Sequence, residues 1–204
     1  MLPFSDACER NKGPILEILR TRFADRTEVL EIGSGTGQHA VHFAAHLEQL
    51  TWHPTERLAF LADLSLRIEA EGGSNIRQPA VLDVTQSVWP ISRVDAMFTA
   101  NTLHIMSWAE VVALFRGIRT TLAPGGLVCI YGPFLYAGRP PVPSNTAFDR
   151  MLQERDPLSG LRHIEAVIDL ACDVGLTLAA DHDQPANNRL LVFRKQTAPS
   201  QHRS

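Results

Sequence analysis

The sequence predicts an α/β domain built on a mostly parallel sheet with helices on both faces. Short apolar runs typical of buried strands alternate with stretches of helical periodicity along almost the whole chain. The first strand candidate runs directly into three glycines at alternate positions, Gly33, Gly35 and Gly37. The last two strand candidates are joined by only a short turn, which favours an antiparallel hairpin. Seven strands are therefore expected, five in βα alternation and two in a C-terminal hairpin.

The elements follow in order along the chain. Residues 12–23 place apolar side chains at helical spacing, and a short apolar run at 28–33 is followed by a helical pattern at 37–47. We then expect the following elements: strand 50–55, helix 57–71, strand 76–83, strand 94–100, helix 108–122, strand 127–131, helix 163–174 and strands 176–182 and 189–195.

Residues 132–160 break this alternation. They hold five prolines and three glycines around a short helical candidate at 147–155. Such a segment is too long for an ordinary connection between a strand and a helix, and long insertions of this kind are usually lids or binding loops. We expect a single domain over 1–196, with 132–160 as an insertion on the substrate side and 197–204 as a disordered tail.

Composition excludes several classes of protein. The net charge of −3 and the pI near 6.2 give no basic footprint for nucleic acid. No apolar run approaches the roughly 20 residues of a membrane span, and the N-terminus does not resemble a signal peptide. Three cysteines without a C-x-x-C spacing indicate reduced thiols. We therefore expect a cytoplasmic monomer or homodimer that binds a small-molecule substrate, with no nucleic-acid or membrane partner.

The glycines that follow Glu31 predict a ligand-binding turn. Alternate glycines permit positive φ and let a ligand approach the backbone. In an open α/β sheet this turn lies at the carboxyl ends of the strands, where ligands bind. Gln38 stands where the dinucleotide fingerprint G-x-G-x-x-G has its third glycine. Glu56 ends the second strand, near the position at which dinucleotide folds carry a ribose-binding acid.

These features resemble the class I S-adenosylmethionine-dependent methyltransferases, which have a Rossmann-like fold. Four segments narrow the resemblance to the methyltransferase-like protein 26 family: C-E-R-N-K at 8–12, G-T-G-Q-H-A at 35–40, Y-G-P-F at 131–134 and P-A-N-N at 185–188. The resemblance implies S-adenosyl-L-methionine as the cofactor and S-adenosyl-L-homocysteine as the product. It also implies adenine contact at Asp83, with Val84 beside it, and a methyl-transfer site lined by Asn101.

The resemblance completes a set of candidate site residues. Cofactor binding is expected of Asn11, Glu31, Gly33, Gly35, Gly37, His39, Glu56, Asp83, Val84 and Asn101. Catalytic roles are expected of His104, Asn101 and Tyr131, and His104 is the candidate general base because imidazole titrates near neutrality. We also expect Glu9–Asn11 to form part of a lid.

Structural alternatives stand beside these roles. Glu56 could be a helix N-cap acid, Asp83 could cap a turn, and Asn101 could bond the loop backbone. Tyr131 could simply pack beneath the insertion. The histidine stripe on the helix at 37–47 lacks an acid or cysteine, so no metal site is expected.

The expected function is transfer of a methyl group to an oxygen, nitrogen or sulfur atom of a small molecule. One alternative is a non-catalytic S-adenosylmethionine-binding protein that docks a partner, and another is a methyltransferase of macromolecules. The missing third glycine and the C-terminal hairpin argue against a nicotinamide-dependent oxidoreductase.

Overall fold

A computed structural model describes residues 2–197 of the chain. The strands are β1 Glu28–Ile32, β2 Thr51–Glu56, β3 Ala80–Val81, β4 Val94–Ala100, β5 Leu122–Leu135, β6 Arg162–His163, β7 Leu176–Gln184 and β8 Asn188–Lys195. The α-helices are α1 Asp6–Arg22, α2 Gln38–His46, α3 Leu61–Glu71, α4 Trp108–Thr121, α5 Pro143–Arg155 and α6 Ile164–Asp173, with short 3₁₀ helices at Leu58–Phe60 and Pro185–Asn187.

The strands form one mixed sheet in the order β3-β2-β1-β4-β5-β8-β7. The first five are parallel, and β8 pairs antiparallel with both β5 and β7. The predicted fold class is confirmed, with the addition of the two-residue strand β6, which pairs parallel with β5. The strand order reverses between β1 and β4, and in open α/β sheets ligands bind at such a switch point.

Helices cover both faces, and each face has its own core. Along β4, Met97 belongs to the core that packs α4 and α6, whereas Phe98 belongs to the core that packs α1, α2 and α3. The alternation follows from the two-residue period of side chains along a strand. The second core is aromatic, with Phe43, Trp52 and Phe98 in mutual contact.

Several boundaries differ from the sequence-based expectation. Helix α1 begins at Asp6 rather than at residue 12, because Ser5 caps it by accepting a hydrogen bond from the Cys8 N–H. Strand β3 has only two residues, and Ile76 forms just an isolated bridge to Trp52.

The insertion at 132–160 contains the expected helix, but with different bounds. Strand β5 continues to Leu135, so the first part of 132–160 belongs to the sheet. Helix α5 starts at Pro143, a residue suited to the first helical turn, and runs to Arg155. Residues 198–204 of the predicted tail lie outside the described residues. Among the helices within 2–197, none is long and apolar enough to cross a membrane.

Candidate functional site

The three glycines after β1 shape the turn into α2, which we call the glycine loop (residues 33–37). Their φ angles are +71° at Gly33, +55° at Gly35 and +77° at Gly37, a region that disfavours residues with a Cβ. A Cβ on Gly33 would lie 2.8 Å from the Thr102 methyl carbon, whereas one on Gly35 would meet nothing within 4 Å. The loop therefore needs glycine for its conformation, and at Gly35 it leaves its backbone open to a ligand.

A cavity of about 790 Å³ opens beside this loop, at the carboxyl ends of β1, β2 and β4. The predicted residues that line it are Gly33, Gly35, Glu56, Asp83, Val84, Asn101 and His104. Its charged lining is unbalanced, with five carboxylates (Glu56, Asp63, Asp83, Glu110 and Asp156) and two guanidinium groups (Arg57 and Arg155). This large cavity therefore suits a ligand that carries positive charge.

A second cavity, of about 360 Å³, adjoins the first. The two share lining residues at the glycine loop and at Asn101, His104 and Phe148. The smaller cavity alone is lined by Ser5, Ala7, Cys8, Ser34 and His39. It therefore extends from the shared wall towards the start of α1.

Glu56 connects the end of β2 to the glycine loop. One carboxylate oxygen, Oε2, accepts a hydrogen bond from the Gly35 N–H at 2.8 Å, and Oε1 accepts one from the Arg57 N–H at 2.8 Å. A carboxylate has about four acceptor positions, so about two remain for hydroxyl donors in the cavity.

Glu31 lies behind the loop and lines neither cavity. Its Oε2 accepts a hydrogen bond from the Trp52 indole N–H at 2.8 Å. Complete burial raises the pKa of this carboxyl group to about 7; hydrogen bonds from Trp52 and Ser34 lower it, and the charge of Glu56 raises it further. Glu31 therefore contacts the glycine loop through Ser34 rather than through a bound ligand.

Asp83 is half-buried at the edge of the large cavity, where Val84 also lines the wall. Its Oδ1 accepts hydrogen bonds from the N–H and hydroxyl groups of Thr85, at 2.9 and 2.7 Å. These bonds lower the pKa of Asp83. Asp83 therefore caps the turn, as the structural alternative predicts, and it also lines the large cavity.

Asn101 and His104 follow β4 and form the wall between the cavities. Asn101 has φ +57°, and its backbone N–H donates to the Tyr131 carbonyl at 2.9 Å. His104 is 5% exposed, with its ring edge-on to Phe148 at 5.4 Å between centroids. Burial, reinforced by the nearby charge of Arg162, lowers the pKa of His104 to about 4, so its imidazole is neutral at physiological pH.

Three predicted site residues are buried near the smaller cavity: Asn11, His39 and Tyr131. The Asn11 Oδ1 lies 2.6 Å from the His39 Nε2, and the His39 ring stacks on Phe43. Burial raises the pKa of Tyr131, partly opposed by a hydrogen bond from Asn11. Of the predicted site residues, Asn11, Glu31, Gly37 and Tyr131 line neither cavity, whereas His39 lines the smaller one.

The insertion and the N-terminal segment both border the site. Helix α5 contributes Phe148, Met151 and Leu152 to the large cavity, and the first turn of α1 contributes Cys8 to the smaller one. Phe148 and Cys8 were missed from the sequence. The helical spacing of the three apolar residues in α5 was a usable signal, whereas nothing local distinguishes Cys8.

The N-terminal segment is tied to the glycine loop by two side chains. Gln38 accepts a hydrogen bond from the Ser5 N–H at 2.6 Å. The buried guanidinium of Arg67 donates to the Thr36 carbonyl at 2.6 Å and to the Pro3 carbonyl at 2.5 Å. These bonds fix the start of α1 against the loop, and the Gln38 side-chain N–H also donates to the Glu9 carboxylate at 3.4 Å. Arg10, in contrast, is exposed.

Several solved structures with the same fold are described as methyltransferases. An O-methyltransferase family protein from Burkholderia thailandensis superposes with a TM-score of 0.81 at 16% identity, over 95% of this chain and 58% of that one. The S-adenosylmethionine-dependent methyltransferase SibL in its apo form gives 0.78 at 20% identity, over 94% and 56%. PigF with SAH gives 0.78 at 18%, over 90% and 55%. The chain thus spans little more than half the length of these proteins.

The fold is therefore that of the class I methyltransferases. Residues 2–195 match the family described as Protein of unknown function (DUF938), and the chain belongs to that family. The narrower resemblance to methyltransferase-like protein 26 stays a prediction.

Proposed function

We propose that this chain is an S-adenosylmethionine-dependent methyltransferase that acts on an oxygen, nitrogen or sulfur atom of a small molecule. The observation that carries the proposal is the hydrogen bond between Glu56 and the Gly35 N–H at the wall of the large cavity. It joins the two features that recognise an adenosyl cofactor in this fold, a glycine loop and an acid at the end of the second strand.

The volume and the charge of the large cavity support this cofactor. Gly35 is open to the cavity, and the volume of about 790 Å³ lies within the usual range for ligand sites. The excess of carboxylates among its charged lining residues complements the sulfonium and ammonium groups of S-adenosylmethionine. Glu56 would accept hydrogen bonds from the ribose hydroxyls, and Asp83 and Val84 would border the adenine.

The bound cofactor would supply a methyl group already activated on a positively charged sulfur. The protein then has to orient the acceptor and exclude water. Asn101 and His104 stand at the shared wall of the two cavities, where an acceptor would meet the cofactor. The neutral imidazole of His104 can take a proton from an acceptor that carries one. The Tyr131 carbonyl accepts a hydrogen bond from the Asn101 N–H, and the Glu31 carboxylate accepts one from the Trp52 indole behind the glycine loop.

The walls around the site favour a small acceptor. Helix α5 and the start of α1 both line the cavities, so a macromolecule would have to displace them. Gln38 stands where the dinucleotide fingerprint has its third glycine, and its side chain accepts a hydrogen bond from the Ser5 N–H. A nicotinamide cofactor is therefore not expected.

The test is calorimetry of the purified chain with S-adenosylmethionine, S-adenosylhomocysteine and NAD. We expect both sulfur compounds to bind and NAD to give no heat. Formation of S-adenosylhomocysteine in the presence of a panel of small alcohols, phenols, amines and thiols then separates an enzyme from a binding protein. Binding of NAD with no response to either sulfur compound would overturn the proposal.

A further inference from the structure

We propose that the methyl acceptor is an uncharged, mainly apolar small molecule that binds at the end of the large cavity bordered by helix α5. We call this end the α5 side. Its apolar lining consists of Ile105, Met106, Phe148, Met151 and Leu152. The inference rests on the proposed function, because it takes the glycine-loop side of both cavities as the cofactor site.

The strand order separates the α5 side from the acids expected to hold the adenosyl group. Glu56 ends β2 and Asp83 follows β3, and both strands lie on one side of β1. The α5 side belongs to the other half of the sheet, because Phe148 packs edge-on against His104 in the loop after β4. Asn101 directly follows β4 and lines the same cavity. A molecule on the α5 side therefore approaches Asn101 from the half of the sheet opposite to the two acids.

The wall of the α5 side is fixed by hydrogen bonds between the chain after α5 and the loop after β4. The Ser159 hydroxyl donates to the Ile105 carbonyl at 2.7 Å. The Arg162 guanidinium donates to the Leu103 carbonyl at 3.1 Å and also to the Met106 carbonyl. These bonds join two segments of chain into one wall before any ligand is bound, and a preorganised wall costs a ligand less on binding.

The apolar lining continues from the interior to the mouth of the cavity. Leu152 is only 7% exposed, whereas Ile105 and Met151 are 59% and 50% exposed. Single exposed apolar residues are ordinary on a protein surface, but these two line a cavity whose wall is also apolar. A ligand that covers them removes apolar area from water, and the flexible methionine adapts to the shape of the ligand.

The charged groups on the α5 side have backbone partners or lie in solvent. The Glu110 Oε2 accepts a hydrogen bond from the Ser107 N–H at 2.7 Å, and the Asp156 Oδ1 accepts one from the Leu158 N–H at 3.0 Å. Asp156 and Arg155 are both exposed and opposite in charge. In the proposed function the cofactor supplies the positive charge that the carboxylates of the cavity favour, so the acceptor needs no charge of its own.

Three phenols with equal numbers of non-hydrogen atoms serve as probes. Apart from its hydroxyl group, 4-ethylphenol is apolar. In 4-(hydroxymethyl)phenol a second hydroxyl replaces the terminal methyl group, and in 4-(aminomethyl)phenol an ammonium group replaces it at pH 7. Binding of each probe to the full chain saturated with S-adenosylhomocysteine is measured by ligand-observed NMR at pH 7.

Two substitutions make the mouth of the α5 side polar. Met151→Gln changes the volume little, and Ile105→Asn changes a loop residue; both positions are at least half exposed, so both variants are expected to fold. Leu66→Gln is the matched control, because Leu66 is 54% exposed on α3 and lines neither cavity. Calorimetry with S-adenosylhomocysteine is run on every variant.

We expect the parent and Leu66→Gln to bind 4-ethylphenol equally. Met151→Gln and Ile105→Asn should bind it at least about threefold more weakly, with unchanged affinity for S-adenosylhomocysteine, because each removes apolar contact area. The two polar analogues should bind the parent at least about fivefold more weakly than 4-ethylphenol, since each must bury a polar group against the apolar wall.

The inference is wrong if 4-ethylphenol does not bind, if either polar analogue binds as tightly as 4-ethylphenol, or if neither substitution weakens its binding. Tighter binding of the ammonium analogue would show that the carboxylates of the α5 side select a cation instead. A parent that binds 4-ethylphenol but not S-adenosylhomocysteine would refute the proposed function, which separates that failure from the others.

Discussion

Replacement of Glu56 by alanine should weaken binding of S-adenosylhomocysteine about 5- to 150-fold. The structure gives this carboxylate two hydrogen bonds, one to the Gly35 N–H and one to the Arg57 N–H, each at 2.8 Å, and leaves about two acceptor positions facing the cavity. A hydrogen bond to a charged group contributes roughly 1–3 kcal/mol, and each 1.4 kcal/mol corresponds to tenfold in Kd. Glu56→Gln keeps one carbonyl oxygen as an acceptor, so its loss should be smaller.

The assay is isothermal titration calorimetry, with circular dichroism to establish that each variant is folded. Glu69→Ala is the matched control, because this acid is exposed on α3 and lines neither cavity. If folded Glu56→Ala bound S-adenosylhomocysteine as tightly as the parent, Glu56 would not contact the cofactor. If Glu56→Gln lost as much affinity as Glu56→Ala, the negative charge rather than the remaining acceptor would dominate, and the hydrogen-bond reasoning would fail.

Four further predictions concern other residues around the site. Since the pKa of His104 is lowered to about 4, methyl transfer to a hydroxyl acceptor should not decline between pH 8 and 6, and a pH–rate profile with an inflection near 6.5 would contradict this. Gly35→Ala should lower the free energy of unfolding by about 1 kcal/mol because φ is +55°, a shift of about 2–4 °C in melting temperature, and should also weaken cofactor binding in calorimetry. The raised pKa of Glu31, about 7 in the folded protein, means that the folded state binds more protons than the unfolded state above about pH 4.5. The free energy of unfolding should therefore fall as the pH rises towards 7, and Glu31→Gln should remove up to about 3 kcal/mol of this dependence in denaturant titrations at pH 5 and 8. Arg67→Ala should release the N-terminal segment from the glycine loop, which hydrogen exchange would detect as faster exchange in residues 4–9, and equal exchange in parent and variant would refute that coupling.

The sheet could be predicted because the sequence patterns of strands, turns and helices are local. A strand that ends in alternate glycines and leads into a helix constrains the backbone at each step, and the observed φ values at Gly33 and Gly35 follow from it. Two boundaries were wrong for identifiable reasons. The start of α1 was missed because Asp6–Asn11 is polar, although Ser5 followed by Asp6 is a usual helix start. The strand predicted at 76–83 shrank to Ala80–Val81 because it lies at the edge of the sheet and pairs only with β2.

The site was predictable only in part, because the strand period gives the face of a residue but not its tertiary partners. Asp83 and Asn101 were found because each follows a strand whose carboxyl end meets the cavity. Tyr131 also ends a predicted strand, yet its side chain belongs to the core beneath α1. The helical spacing of Phe148, Met151 and Leu152 indicates an apolar helix face, but it does not specify that this face borders the cavity.

Glu31 and Glu56 flank the same loop but lie in different environments. Glu31 shares its side of β1 with Val29, in the aromatic core, and the Trp52 indole reaches it from β2. Glu56 lies one strand away, at the wall of the cavity, where it accepts from the loop itself. The negative charge of Glu56 is among the causes that raise the pKa of Glu31. A cationic ligand beside Glu56 would offset that charge, so the ionised form of Glu31 and the occupied site should favour each other.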